Sequence, residues 1–428
     1  MDEETITLTG RDMRRLRTIE AALAGRITNS EGAQQLSLSE RQFIRLRGRV
    51  AEEGPSGVIH KGRGKRSNRR MCEKERERIK ELLDGPLDGF NDTHAHELLV
   101  ERYGVTCSRQ SIRSLRIEAG HAAKRRRRAP KHRSRRERRG RGGAMLLLDG
   151  STHAWFEDRG PRCTLLGSID DATGEVVALR FEPTEDLAGY LELFHSVFTT
   201  HGVPASTYTD RHGVFYVNRP EPSIEEQLEG VEPLSQLGRA LDEVGIARIY
   251  SLSPQARGRV ERLWGTLQDR LVSELRLEGI SNIEDANLFI EAFRPRFNSR
   301  FAIEATEQLS DWLPAPKDLD WFLCAKYRRT VGNDNTVRFG DRIFNIAPAT
   351  HRSTFAKARI EVHELRDGRI RLVHDGRIVG GQSTPKDFDR LRTRGRKGLT
   401  EAGHLPVLIL PSRAREAAIE HEVVTATG

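Results

Sequence analysis

The sequence predicts a multidomain α+β protein, with helical units first, a mixed α/β layer in the middle and a small β-barrel last. Three observations predict it. Up to about residue 120, apolar residues recur at helical spacing and each group of helices closes on an arginine-rich one. From 144 to 300, strand and helix signals alternate after an opening hairpin. From 326 to 382, polar and apolar residues alternate in period two around Asp-Gly turns.

Composition narrows the class. The chain has 428 residues and a net charge of +9. The segment Lys124 to Arg141, KRRRRAPKHRSRRERRGR, holds 12 basic residues, mostly arginine, and a single acid, Glu137. It carries +11 by itself, which leaves the rest of the chain at −2. The basic character is therefore local. Such a block reads as a polyanion-binding arm, with a solubilising linker as the alternative; arginine favours phosphate. Cys72, Cys107, Cys163 and Cys324 are scattered without a CxxC pair, which suits a reducing compartment and argues against a disulfide framework or a zinc site. No run of eighteen apolar residues exists, so neither a membrane span nor a membrane partner is expected. The start, MDEETITLTG, is acidic and lacks an apolar core, so no secretory signal is expected.

The first helix-turn-helix unit is placed at residues 1–56. Met13, Leu16, Ile19 and Leu23 share a helical period, and a later helix opens at Ser37 or Ser39. That last helix carries Arg41, Arg45, Arg47 and Arg49, as a groove-reading helix does. Gly54, Pro55 and Gly57 end the unit, and His60 to Arg70 is a basic linker. The second unit spans 71–121. One helix stops at Gly85-Pro86, the next opens at Asn91 or Asp92, and the last follows a Ser108 cap with Arg109, Arg113 and Arg116. Both units read as DNA-binding, with protein contact as the alternative. The arginine-rich linker occupies 122–143.

Residues 144–300 form the core. AMLLLD is a buried strand, and RCTLLGSIDDATGEVVALRFE is a hairpin turning at Asp171–Gly174. A helix follows, begun by Thr184 and closed by Gly202; STYTD and IARIYS are short strands, and SPQARGRVERLWGTLQDRLVSEL is a long helix. A small β-barrel, or a sandwich, is placed at 326–382. The tail, 384–428, is polar and broken, with a helix expected near 413–420.

Asp149 and Asp210 each end an apolar-leaning strand, where a bare charge is costly. If those strands are parallel neighbours, their carboxyl ends meet at one rim, where open α/β sheets place their sites. Two carboxylates there repel unless a cation lies between them. Glu261, in the long helix, is a third candidate. Three acids without a His or Cys cluster are hard oxygen ligands and suit Mg2+ or Mn2+, as two ions, which support in-line phosphoryl displacement. Taken singly, each acid has a plain reading as a turn, cap or surface residue. Asp242, Glu243 and Glu274 compete with Glu261, but none sits beside the QARGR loop.

Three segments, LLLDGSTHAWFE, YTDRHGVF and SPQARGRVERLWGTLQDRLVSELR, resemble the catalytic segments of insertion-sequence transposases with a retroviral-integrase-like core, most closely the ISNCY group. The resemblance covers nearly the whole chain. It implies a ribonuclease-H-like core, an acid triad at Asp149, Asp210 and Glu261, divalent metal, and cutting and rejoining of DNA ends. One departure is the 51-residue interval from Asp210 to Glu261, longer than in compact members; Asn218 to Pro233 reads as an insertion.

Other residues carry two readings. His212 could orient a phosphate or a water, or be structural. Arg257 and Arg259 could clamp DNA around Gly258, or pair with nearby acids. Asp170 and Asp171 read as turn formers, and His153 and Trp155 as packing. The whole points to a DNA transposase acting on double-stranded DNA as a homo-oligomer, in a bacterial cytoplasm at the nucleoid, with no small-molecule substrate. The rivals are a cutting-only nuclease of the same fold and a non-enzymatic regulator derived from a transposase.

Overall fold

A computed structural model describes residues 6–63, 71–121, 136–217, 233–251, 258–349, 352–385, 388, 390 and 391. The chain divides into two compact units, residues 1–80 and 81–428, and the division falls within α4. Among the described residues, no helix is long and apolar enough to cross a membrane.

The first unit contains α1 (Gly10–Leu23), α2 (Asn29–Leu36) and α3 (Glu40–Glu53). Each opens on a capping box, Thr9 with Asp12, Thr28 with Glu31, and Ser39 with Gln42, which satisfies amide groups left over in the first turn. Ser37 belongs to the end of α2, where it adopts a left-handed φ of 55°. Leu16, Ile19, Ala33, Phe43, Leu46 and Val50 form the core. Met13 and Leu23, expected on the buried face, are exposed, and Ala22 takes the buried position. Gly32 is required by packing: a Cβ there would stand 2.3 Å from the Phe43 ring.

After α4 (Glu73–Asp84), the larger unit begins with α5 (Asp92–Glu101), capped by Asn91, and α6 (Arg109–Glu118), capped by Ser108. The first of these is docked on the core helices introduced below, and α6 packs against α5. The core is one five-stranded sheet of β1 (Leu146–His153), β2 (Cys163–Asp170), β3 (Val176–Glu182), β4 (Ser206–Thr209) and β5 (Ala247–Tyr250), in the order β3-β2-β1-β4-β5. The β1–β2 and β2–β3 pairs are antiparallel; β1–β4 and β4–β5 are parallel. The helices are α7 (Leu187–Thr200), α8 (Gln236–Glu243), α9 (Gly258–Leu277) and α10 (Ile283–Phe301).

Both faces of β1 are covered, which explains its unbroken apolar run. Leu146 and Leu148 pack with α7 and α8 in one core; Met145 and Leu147 pack with α9 and α10 in the other. Period-two alternation fixes this division and carries forward to the site.

The last strands are β6 (Cys324–Thr330), β7 (Thr336–Phe339), β8 (Arg342–Asn345), β9 (Arg359–Leu365), β10 (Ile370–His374) and β11 (Arg377–Gln382), after a one-turn helix α11 (Leu319–Phe322). The expected small β-barrel is corrected here: an antiparallel sheet β11-β10-β9-β6 stands with a separate β7–β8 hairpin, and no closed barrel forms among the described residues. The Asp-Gly turns hold; Asp375 and Gly376 both have positive φ, as a two-residue hairpin turn requires. The sheet does not close because its apolar face is covered elsewhere. Ala325, Tyr327 and Phe339 share one core with α7 and α8. The β6 edge is also satisfied from outside: the Gln236 amide donates to Lys326 O (2.8 Å) and accepts from Lys326 N (3.0 Å). The expected helix near 413–420 and the 218–232 part of the expected insertion lie outside the described residues.

Candidate active site

Parallel pairing of β1 with β4 brings the two aspartates to one rim. The pairing runs Leu146 with Thr207 and Leu147 with Tyr208, then ends. Asp149 lies two residues beyond it, still within β1, and Asp210 immediately follows β4. Alternation puts Asp149 on the face of Met145 and Leu147, the α9 side. Asp210 shares the parity of Tyr208, which packs against that same core.

The surroundings of Asp149 are specific. Its Oδ1 accepts from Gly150 N (3.0 Å) and its Oδ2 from Trp264 Nε1 (2.9 Å). Gly167 is the register partner of Asp149, and a Cβ there would lie 2.9 Å from the Trp264 ring. Glycine thus opens the notch through which the indole reaches the carboxylate. Asp210 Oδ1 accepts from His212 N (2.9 Å) in a tight local turn.

A further acid joins this rim. Glu185, just before α7, accepts from the Tyr190 hydroxyl (2.7 Å), and its Oε1 is 4.0 Å from His212 Nδ1. Burial pushes its carboxyl above the usual range; Tyr190 and His212 oppose, and the charges of Asp149 and Asp210 add to the rise. Tyr190 is fully buried, and burial together with the charge of Glu185 raises its phenol well above the ordinary value. Glu185 carries no local signal in the sequence, where it reads as a first-turn acid. The Trp264 bond was equally illegible.

Glu261 is exposed in the first turn of α9, one turn before Trp264 on the same flank. Among the described residues, no three His, Cys, Asp or Glu side chains stand close enough to hold a metal ion. The structure therefore gathers Asp149 and Asp210, with Glu185 close enough to feel both charges, and does not place Glu261 in a shared ligand set with them. Its competitors are committed elsewhere. Asp242 pairs with Arg248, Glu243 with Arg239 and Lys326, and Glu274 with His94 and Arg296.

The arginines divide into two sets. Arg41 and Arg45 on α3 and Arg109 and Arg113 on α6 are exposed; Arg49 is half-buried, and Arg47 donates to Asn29 (2.7 Å). Arg116 is corrected: it lies on the Ile112–Leu115 face, is buried, donates to Phe90 O and pairs with Asp92 (3.3 Å). Arg259 follows its second reading as a pairing residue, with Asp171 as the acid: its guanidinium is held by Asp171 and by Arg136 O (2.5 Å). Lys124, Arg125, Arg126, Arg127, Arg128 and Arg257 lie outside the described residues. The end of the arm, where described, is tied to the core surface: Arg141 binds Glu307 (2.6 Å) and Arg138 donates to two turn carbonyls. His153 stacks edge-on against the fully buried Trp155.

A mixed sheet in this order, with two aspartates where its parallel strands part, defines a ribonuclease-H-like α/β core. No protein-family model matches the chain. It is 36 % identical over 390 residues to the Sinorhizobium fredii protein named "Putative transposase y4bF", covering 90 % of this chain and 82 % of that one. It is 28 % identical over 360 residues to the transposase for insertion sequence IS1202 of Streptococcus pneumoniae, covering 76 % of each. Among solved structures, the HTLV-2 integrase catalytic core domain in complex with magnesium matches at 17 % identity and a TM-score of 0.24, covering 35 % of this chain and 86 % of that one. The simian T-cell lymphotropic virus intasome matches at 12 % identity and a TM-score of 0.30, covering 69 % and 95 %. The chain belongs to the transposase family.

Proposed function

We propose that Asp149, Asp210 and Glu261 are the acid triad of this transposase, and that it hydrolyses a phosphodiester at an element end and joins the freed 3′-hydroxyl to target DNA. One observation carries the reading: Asp149 and Asp210 leave adjacent parallel strands on the face that α9 covers, and Glu261 opens α9. Within the family, the ISNCY group is the subgroup the motifs favour.

The donor set fits a hard divalent cation. It consists of carboxylate oxygens, and the two aspartates place enough negative charge at the rim to help hold a neighbouring carboxyl above its usual range. Asp149 and Asp210 would hold Mg2+ or Mn2+, with Glu261 as the third ligand and two ions as the stoichiometry. The metal would neutralise charge on the transferring phosphate and favour ionisation of the attacking oxygen. The chain's own groups position. Trp264 fixes Asp149, and the Asp210 carboxylate is fixed by the amide of His212, whose ring is open to a phosphate.

DNA binding is assigned to Arg41, Arg45 and Arg49 on α3, to Arg109 and Arg113 on α6, and to Lys124, Arg125–Arg128 and Arg257. The α2–α3 and α5–α6 pairs act as helix-turn-helix units. The chain works as a homo-oligomer on double-stranded DNA, since two ends must meet, and it does so in the cytoplasm at the nucleoid.

The test is Asp149→Asn in a cleavage and strand-transfer assay on a supercoiled plasmid with Mg2+ or Mn2+. The expected result is loss of both products with unchanged DNA binding. Undiminished cutting would remove Asp149 from the mechanism, and cutting without joining by the unaltered protein would favour the nuclease reading.

A further inference from the structure

The turn between β2 and β3 holds a carboxylate that the turn does not use. Asp170 supplies the local bonds: its Oδ1 accepts from Ala172 N (2.8 Å) and Thr173 N (3.1 Å), while its Oδ2 accepts from Gly143 N (2.6 Å) on the strand-entry segment. The side chain of Asp171 is fully buried, yet every bond to it comes from a distant segment. Arg136 binds it with both terminal nitrogens (2.6 and 3.1 Å), Arg139 N donates at 2.9 Å, and Arg259 Nη1 completes the set. The second Arg259 nitrogen donates to Arg136 O (2.5 Å), which closes a ring. Three points of the chain meet here: the end of the arginine arm, the sheet, and the first turn of α9.

Arg259 stands two residues before Glu261, and Trp264, tied to Asp149, stands three residues after it. Glu261 is therefore bracketed by two anchors, one on each side. Burying an ion pair is costly, and such pairs are best attested where they fix one register among several.

We propose that Asp171 is a positioning residue for the catalytic helix: it fixes where α9 begins, and so where Glu261 stands, and it fastens the arm to that helix. This rests on the assignment of Glu261 made above. Asp171 touches no substrate; it acts through Arg259.

The experiment uses the full chain carrying Asp171→Asn, with Mn2+-dependent nicking of a supercoiled plasmid, binding of that plasmid, and hydrogen exchange of residues 258–264. The expected result is faster exchange there, a nicking rate down by about 100-fold, as misplacement of about 1 Å produces, a higher half-saturating Mn2+ concentration, and unchanged affinity for DNA. A role in stability alone would lower the melting temperature without moving the Mn2+ requirement. Should Asp171→Asn fail to fold, Arg259→Gln removes the tether from the helix side and must give the same result, with partial recovery in Arg259→Lys. Wild-type exchange and wild-type Mn2+ dependence in these variants would overturn the proposal. Glu261→Gln separates the two layers. If it nicks normally, the assignment of Glu261 falls; if it is inactive while the Asp171 and Arg259 variants behave as wild type, only the positioning role falls.

Discussion

Replacing Gly150 with alanine probes the rim from the α7 side. A Cβ at Gly150 would lie 2.5 Å from Glu185 Oε2 and 2.6 Å from its Cδ. Alternation explains the encounter: Asp149 faces α9, so its successor faces α7 and the residue before it. A long side chain normally yields to a methyl group, but this one is pinned by Tyr190 at 2.7 Å. To restore ordinary contact the carboxylate must retreat by about 1 Å, and the bond from Tyr190 is lost. A buried hydroxyl left without its partner costs about 1–3 kcal/mol. Reduced freedom of the unfolded chain returns about 0.4–1 kcal/mol, so Gly150→Ala should destabilise the core by about 1–2 kcal/mol on the same reckoning. Urea unfolding followed by tryptophan fluorescence measures this, since Trp155 and Trp264 both lie in the core of that sheet. A double-mutant cycle identifies the cause. Glu185→Ala alone should cost a similar amount, and adding Gly150→Ala to it should cost nothing more. An equal penalty for Gly150→Ala in both backgrounds would refute the reasoning.

Trp264→Phe keeps an aromatic ring but loses the donor to Asp149; a hydrogen bond to a charged group is worth about 1.5–3 kcal/mol, so plasmid nicking should slow about 10- to 100-fold with DNA affinity unchanged. Burial alone would raise the Glu274 carboxyl, but His94 and Arg296 outweigh it and hold it below the usual range. A depressed carboxyl contributes stability above its unfolded pKa and loses it as pH falls through the folded value. The melting temperature should therefore fall on acidification more steeply for the wild type than for Glu274→Gln, and the gap between them should close; parallel profiles would contradict the pairing. Burial pushes the Cys163 and Cys324 thiols up to about 11, whereas Cys72 is exposed. Native alkylation read by peptide mass should modify Cys72 first and reach Cys163 and Cys324 only on unfolding.

The local grammar of this chain was legible and its long-range bonds were not. The unbroken run of β1, the hairpin after it and the short strands ending at Asp210 and Tyr250 follow from periodicity, and the sheet contains each of them. The caps at Ser39, Asn91 and Ser108 follow from residue type. The two strand-end aspartates can share a rim only if β1 and β4 are parallel neighbours, and they are. What escaped depends on partners far away in sequence. Glu185 resembles any first-turn acid until Tyr190 and Gly150 close on it. Arg116 and Arg259 resemble DNA-facing cations until Asp92 and Asp171 claim them. The terminal strands alternate as a barrel's do, but alternation does not reveal that α7 and α8 cover their apolar face.

The docking of α5 on the core has a consequence for substrate geometry. Asn91 donates to Asp269, His94 to Glu274, and Arg270 clamps Glu97 with two nitrogens, all along the second half of α9. The other end of that same 20-residue helix carries Glu261. A continuous helix of this length is a rod of about 30 Å. If α6 meets the bases it is proposed to read, the offset between the sequence recognised and the bond cut is set by a solid gauge rather than by a tether. Each base pair inserted between the two would carry the bond about 3.4 Å past the acids, so the enzyme would measure its substrate as well as read it.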